Sequence, residues 1–322
     1  MKNCLKKQGE QSKHTSLSNS LSRPTIPNGF PAPPVDWTLE EDYLDFGKNK
    51  KTFVRRFISP VTDPSVYRIM VIIHGFGEHS GRYFHVPYYL KNAIDRIDCF
   101  DLQGHGQSSG IKGDIESFDT YVRETEHVIR AAFDAVRDRQ KRVEIHLLGH
   151  SMGGHIALRT AFLNPDLPLS SVIVSAPFLR LSPDVSSIKQ FFAKVLIHLL
   201  PGLRLSTGLN ASFLSHDSNV VKLYQQDASV HGLMTPRFFV SMTRAMADTT
   251  GFSRKFPFPL KMLVPLADKI VDPNGALDLF KTIVCEDKEL ETYPDFYHEI
   301  MNEKEKERVF KDIENWLNRK GI

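Results

Sequence analysis

Apolar residues follow two spacings along this chain. Short unbroken runs, Arg68-Ile69-Met70-Val71-Ile72-Ile73 above all, have the density of parallel strands buried on both faces. Thr52 to Ile58, Ile97 to Phe100, Val143 to Leu148, Ser170 to Ala176 and Leu260 to Leu266 read as further strands. Elsewhere the spacing lengthens to three and four. Val122, Ile129, Phe133 and Val136 fall on one side of a helix, Ile156 to Leu163 belong to another, and Phe310, Ile313 and Trp316 mark a last one. Strands alternating with helices predict an α/β fold, its mostly parallel sheet flanked by helices.

The alternation breaks once, between Ala176 and Leu260. A plain loop of that length would be unusual, so the segment predicts an inserted subdomain. We place this cap at 178–251, between the core segments 37–177 and 252–322. Within it Ile188, Phe191, Phe192, Val195, Leu196, Leu199 and Leu200 form the stripe of an amphipathic helix that Pro201-Gly202 ends. The stripe either packs inside the cap or faces outward onto a membrane interface. The helix is too short to span a bilayer.

Composition narrows the setting. The first 36 residues are rich in Ser, Lys, Asn and Pro and predict a disordered or loosely draped extension. There Lys2, Lys6, Lys7, Lys13 and Arg23 oppose only Glu10 and Asp36, which accounts for the net charge of +3 of the whole chain. Nothing in this balance suggests a nucleic-acid partner. The N-terminal lysines lack the apolar run of a secretory signal, and no 18-residue apolar stretch predicts a membrane span. The 3 cysteines, Cys4, Cys99 and Cys285, are scattered, so neither a zinc site nor a disulfide framework is expected. The expected location is cytoplasmic.

The candidate chemistry begins at Gly149-His150-Ser151-Met152-Gly153. A serine with glycines two residues to either side, after a strand and before a helix, reads as a nucleophile on a strained strand-to-helix turn. Such a serine needs a base, an orienting acid and oxyanion donors. In folds with this turn the acid and then the histidine follow the serine. Of the 13 histidines only His298 lies beyond the last predicted strands. Asp268 directly follows the strand Leu260–Leu266, whereas Asp272, just before Pro273, reads as a helix cap. His74-Gly75-Phe76-Gly77-Glu78 follows the strand ending at Ile73, and its glycines let the Phe76 N–H approach a developing oxyanion. The second donor is the N–H of Met152.

Together these residues resemble the monoacylglycerol lipase and lysophospholipase branch of the α/β-hydrolases. The resemblance includes His74-Gly75-Phe76-Gly77-Glu78-His79-Ser80-Gly81-Arg82-Tyr83, Asp101-Leu102-Gln103-Gly104-His105-Gly106-Gln107-Ser108, Gly149 to Gly154, Asp268 and His298. In the cap, Ala193-Lys194-Val195-Leu196 and Leu199-Leu200-Pro201-Gly202-Leu203 are similar to that family's lid. The likeness runs from about residue 40 to 318. It implies an α/β-hydrolase fold with a helical cap inserted after the sixth strand. It also implies a serine esterase with no metal or organic cofactor, a Ser151–His298–Asp268 triad and an oxyanion hole from Phe76 and Met152. Glu78 and Arg82 would lie at the polar end of the substrate pocket, and Leu196, Leu199 and Leu200 would meet the lipid. Asp101 would tie its loop to its neighbours, and His105 would be a buried structural residue.

Two departures stand out. Pro265 occupies a position that is often glycine in the family, and Met301 stands where mammalian monoacylglycerol lipases carry a second histidine near the headgroup. The expected reaction is hydrolysis of monoacylglycerols to fatty acid and glycerol through an acyl-enzyme, with peripheral membrane contact through the cap. Lysophospholipid hydrolysis, or acyl transfer from the same intermediate, is the alternative. A non-catalytic binding protein on this fold is the remote one, since such proteins usually lose the nucleophile, base or glycine loop.

Overall fold

The computed structural model of the protein describes residues 30–47, 49–60, 65–139, 142–182, 196–197 and 199–320. Eight strands form one sheet: β1 (Thr38–Asp45), β2 (Lys51–Ile58), β3 (Tyr67–Ile73), β4 (Arg96–Phe100), β5 (Val143–His150), β6 (Ser171–Ser175), β9 (Leu260–Pro265) and β10 (Lys288–Tyr293). Their order is β1-β2-β4-β3-β5-β6-β9-β10. β1 and β2 run antiparallel to each other, and β2 runs antiparallel to β4; from β4 to β10 all pairings are parallel.

The unbroken apolar run of β3 has a simple cause. Ile69, Val71 and Ile73 point into a core on one face, while Met70 and Ile72 point into a second core on the other. The short helix α1 (Val86–Leu90) adds Val86 and Leu90 to the second core, while helix α2 (Asp119–Asp134) and helix α3 (Met152–Leu163) supply the first. The C-terminal helix over Lys306–Lys320 supplies Val309, Phe310, Ile313 and Trp316 to the second. Layers on both faces follow from a sheet with no hydrophilic side.

Between β6 and β9, where the insertion was expected, the described residues carry small elements of their own. A two-residue ribbon pairs β7 (Leu205–Ser206) with β8 (Leu233–Met234). Two helices, Ser218–Gln226 and Pro236–Thr250, are capped by the side chains of Asp217 and Thr235. Most of the expected amphipathic helix, including Ile188, Phe191, Phe192 and Val195, lies outside the described residues. Of the expected loose extension, residues 1–29 also lie outside them. The remainder is anchored: Phe30 is buried, edge-on to His85 at 4.8 Å, with the Lys306 ammonium 4.3 Å from its ring centre. Among the described residues no helix is long and apolar enough to cross a membrane.

Candidate active site

Four elements deliver side chains to the carboxyl edge of the sheet, where open parallel sheets receive ligands. Ser151 follows β5 directly and opens helix α3 with φ 54° and ψ −117°. That conformation is strained by about 1–3 kcal/mol for a residue with a side chain. The surroundings hold it there. The Ser151 N–H donates to the Ser175 carbonyl at 2.9 Å, and its own carbonyl accepts from Phe178 at 2.9 Å and His155 at 3.1 Å. A Cβ on Gly149 would strike the Gly153 carbonyl, and one on Gly153 would strike the carbonyl oxygens of Ile73 and His74. The two glycines therefore let strand, turn and helix touch through their backbones.

The end of β9 brings Asp268 and the loop after β10 brings His298. His298 Nε2 lies 2.8 Å from the Ser151 hydroxyl, and Nδ1 lies 2.6 Å from Asp268 Oδ2. The other Asp268 oxygen, Oδ1, accepts from the amides of Ile270 at 2.8 Å and Val271 at 3.0 Å. Burial opposes a charge on either partner. For His298, the attraction of the Asp268 carboxylate and the hydrogen bond to it outweigh that penalty, and its pKa is raised from the ordinary imidazole value. For Asp268, burial would push the carboxyl up, but His298 and the two amides hold it below the usual carboxylate range. Asp272, the other carboxylate considered, accepts from the Asn274 amide and caps the helix Pro273–Thr282.

The loop after β3 lies against the serine. A Cβ on Gly75 would come within 3.3 Å of Ser151 Cβ. Met152 is the first residue of α3, so its N–H has no carbonyl partner within the helix. Among the described residues the Phe76 N–H makes no hydrogen bond either. Both amides are available to an incoming oxygen.

A cavity of about 730 Å³ opens onto this corner and includes Gly75, Phe76, Ser151, Met152 and His298 in its wall. Phe178, Leu181, Leu196, Met234, Phe239 and Met242 give it an apolar side. Glu78 and Arg82 line it, as the resemblance implied, and so does Leu196. Leu199 and Leu200 do not: they are 70% and 53% exposed and lie outside the lining. The stripe spacing grouped them with Leu196, but the helical turn ends at Pro201, and the last two leucines face solvent.

Among the lining residues that escaped the sequence reading, three lie beside Arg82 and His298. Glu299 binds the Arg82 guanidinium through both oxygens, at 2.5 and 2.8 Å. Tyr224 lies with its ring centre 4.9 Å from that guanidinium. His150 is buried beside His298, their ring centres 5.0 Å apart. Burial, then the neighbouring His298, pushes its pKa down to about 4 and keeps it neutral. Glu299 was open to discovery as the acid beside the base. Tyr224 carried no local signal. Met301 is buried in the second core, and its carbonyl accepts from His85 Nε2 at 3.0 Å. Asp101 ties its loop down by accepting from the amides of Ser80 and Gln107, each at 2.7 Å. His105 is buried behind Phe76, and burial, followed by His74 and His231, holds it well below the ordinary imidazole pKa.

Comparison with known proteins gives this geometry its context. Residues 64–305 match the family described as Serine aminopeptidase, S33. The chain is 30% identical over 263 residues to a monoacylglycerol lipase of Mycolicibacterium smegmatis, covering 80% of this chain and 90% of that protein. It is 28% identical to an uncharacterized abhydrolase domain-containing protein of Dictyostelium discoideum over 84% of this chain, and spans only 28% of that protein's length. The crystal structure of a Paleococcus ferrophilus monoacylglycerol lipase superposes with a TM-score of 0.72 at 31% identity, covering 84% of this chain and 99% of that one. A soluble variant of the Saccharomyces cerevisiae monoglyceride lipase, in complex with a substrate analog, gives 0.79 at 25% identity, covering 90% and 99%. With an α/β-hydrolase sheet beneath this corner and the family's model matched across it, the chain belongs to the Serine aminopeptidase, S33 family and is a serine hydrolase.

Proposed function

We propose that this lipid ester hydrolase cleaves monoacylglycerols to fatty acid and glycerol, with Ser151 as nucleophile, His298 as base and Asp268 as the acid that orients it. The observation that carries the reading is the hydrogen-bonded run Ser151–His298–Asp268 at the mouth of a cavity with an apolar side and a polar group at Glu78 and Arg82. The monoacylglycerol lipases among its relatives support the substrate class.

The Ser151 oxygen attacks the ester carbonyl while its proton passes to His298 Nε2. Asp268 keeps the proton on Nδ1 and stabilises the imidazolium that forms. The amides of Phe76 and Met152 receive the oxyanion; one such donor is worth about 2.7–4 kcal/mol in the transition state. As the tetrahedral carbon collapses, the ester C–O bond breaks and His298 returns the proton to the glycerol oxygen. Water then attacks the acyl-enzyme by the same route, releasing fatty acid and the free serine. Mildly polar glycerol suits the end of the cavity at Glu78, Arg82 and Tyr224, and the acyl chain suits the apolar wall.

The exposed Leu199, Leu200 and Leu203 fall in sequence between the lining residues Leu196 and Leu205, and Leu205 is itself exposed. An apolar fringe at the opening suits a protein that draws its substrate from a lipid surface. The test is a pair of assays on monoolein and lysophosphatidylcholine with the wild-type protein and Ser151→Ala. The proposal expects monoolein to have the higher kcat/KM and the variant to lose it. Faster turnover of lysophosphatidylcholine would move the assignment to the lysophospholipid reaction.

A further inference from the structure

We propose that Arg82, gripped by Glu78 and Glu299, is a positioning residue that holds the Phe76 loop in register with His298. The proposal rests on the roles given above to the triad and to the Phe76 amide.

The two halves of the site come from distant parts of the chain, and a buried ionic bridge joins them next to the reacting groups. On the Phe76 side, Glu78 Oε1 accepts the Gly75 N–H at 2.5 Å and the Tyr83 hydroxyl at 2.9 Å. Pinning the Gly75 amide fixes the peptide immediately before the Phe76 N–H. Glu78 Oε2 then accepts from Arg82 Nη1 at 3.0 Å. On the His298 side, the same guanidinium binds both oxygens of Glu299, the next residue after the base, 217 positions along the chain from Arg82. A planar fork fixes the orientation of a carboxylate as well as its distance, which a single ammonium does not.

All three side chains are at least nine-tenths buried. Burial by itself favours a neutral Glu299, yet Arg82 holds its pKa at about 2, so the bridge stays ionised. The inserted unit closes over it. Leu214 accepts the Glu299 N–H at 2.8 Å, Gly77 accepts the His231 N–H at 2.9 Å, and Tyr224, on the helix between those two points, covers the guanidinium. These backbone contacts fasten each loop to the insertion. The Glu78–Arg82–Glu299 run fastens one loop to the other beside the reacting groups, and the His85 Nε2–Met301 carbonyl bond at 3.0 Å is a second tie farther along both segments. The two carboxylates consume the charge of Arg82, which fits a strut better than a free headgroup ligand.

The test uses p-nitrophenyl acetate, which has no glycerol to be recognised. Glu299→Gln keeps the shape of the side chain and breaks the charged fork. Its kcat on the acetate is expected to fall at least tenfold (order of magnitude from the strength of charge-assisted pairs) with KM within about twofold. The acid limb of its pH–kcat/KM profile is expected to move to lower pH, because the Glu299 carboxylate helps hold the His298 pKa up alongside Asp268 and Glu78. Unchanged acetate kinetics with a higher KM for monoolein would overturn the proposal and leave Arg82 a headgroup residue. If Glu299→Gln does not accumulate folded by circular dichroism, Arg82→Lys asks the same question with the charge retained. A fall in acetate kcat supports the strut, and no change overturns it. Ser151→Ala is assayed alongside. Acetate turnover surviving in that variant would break the underlying triad assignment, a failure separate from that of the strut.

Discussion

At the carboxyl edge of the sheet each side chain of the proposed triad is held from several directions. Ser151 is fixed by three backbone hydrogen bonds, Asp268 by two amides and an imidazole, and His298 by partners at both ring nitrogens. The mouth of the cavity, formed by the insertion, is built differently. Leu199, Leu200, Leu203 and Leu205 are exposed, and β7 and β8 pair over two residues only. Chemistry that tolerates errors of a fraction of an ångström is placed where the backbone is over-determined. Contact with a fluid lipid, as the proposed function has it, would need apolar area and little geometry, and these exposed leucines would supply that. The contrast separates two kinds of variant: those at the sheet edge should change turnover of every ester, and those at the mouth should change only how lipid is reached.

The largest effect is expected at the nucleophile. Ser151→Ala should lower kcat by about 10⁶ on any ester substrate, the scale of a triad knockout. Hydrolysis of p-nitrophenyl acetate at near wild-type rates would place the chemistry elsewhere. Next comes Asp268→Asn, expected to cost about 10⁴ in kcat because the wrong tautomer of His298 is favoured. Its pH profile carries the sign. His298 must be neutral to accept the serine proton, and its raised pKa places the loss of activity above the pH at which an ordinary imidazole protonates. Without the aspartate charge, whatever activity is left should be lost at lower pH than in the wild type. An acid limb that does not move would show that Asp268 does not govern the base.

A smaller effect belongs to the turn itself. The methyl group of Gly153→Ala meets backbone oxygens of Ile73 and His74, which cannot swing aside as a side chain can. Overpacking of this kind costs about 1–3 kcal/mol, read as a lower midpoint in thermal unfolding together with slower turnover. A variant with wild-type stability and activity would mean that strand and helix separate more easily than their contact implies. The smallest effect on chemistry is expected at the mouth. Leu199→Asp combined with Leu200→Asp should leave p-nitrophenyl acetate turnover unchanged. Vesicle binding, measured by flotation, should weaken by roughly tenfold or more if about 1.4 kcal/mol or more of leucine burial is lost. Equal flotation would remove the insertion from the account of lipid contact.

The legible parts of the site are those where local backbone demands constrain residue type. Gly149 and Gly153 were readable because no other residue fits between β3, β5 and α3. Asp268 was readable because it follows a strand recognisable by its apolar run, and chain order then left His298 as the one histidine beyond the last predicted strands. The core strands were readable for the same reason, whereas β1 was not: Thr38–Asp45 is an acidic, exposed edge strand with no apolar run to announce it. Tyr224 acquires its place through Arg82, far away in sequence, and no local pattern encodes such a meeting, whereas Glu299 stands directly beside the base. Leu199 and Leu200 continue the stripe of Leu196 in sequence but are exposed and lie outside the cavity lining, a distinction that spacing alone does not carry.

The most direct test of the central claim, that Ser151 is made nucleophilic by its contact with His298, is labelling of the wild-type protein with a fluorophosphonate followed by mass spectrometry of the digested adduct. The account predicts a single phosphonylated peptide, modified at Ser151, whose formation slows when monoolein is present and which is absent from Ser151→Ala. An unlabelled Ser151, or an adduct on a different serine that accounts for the lost activity, would contradict it.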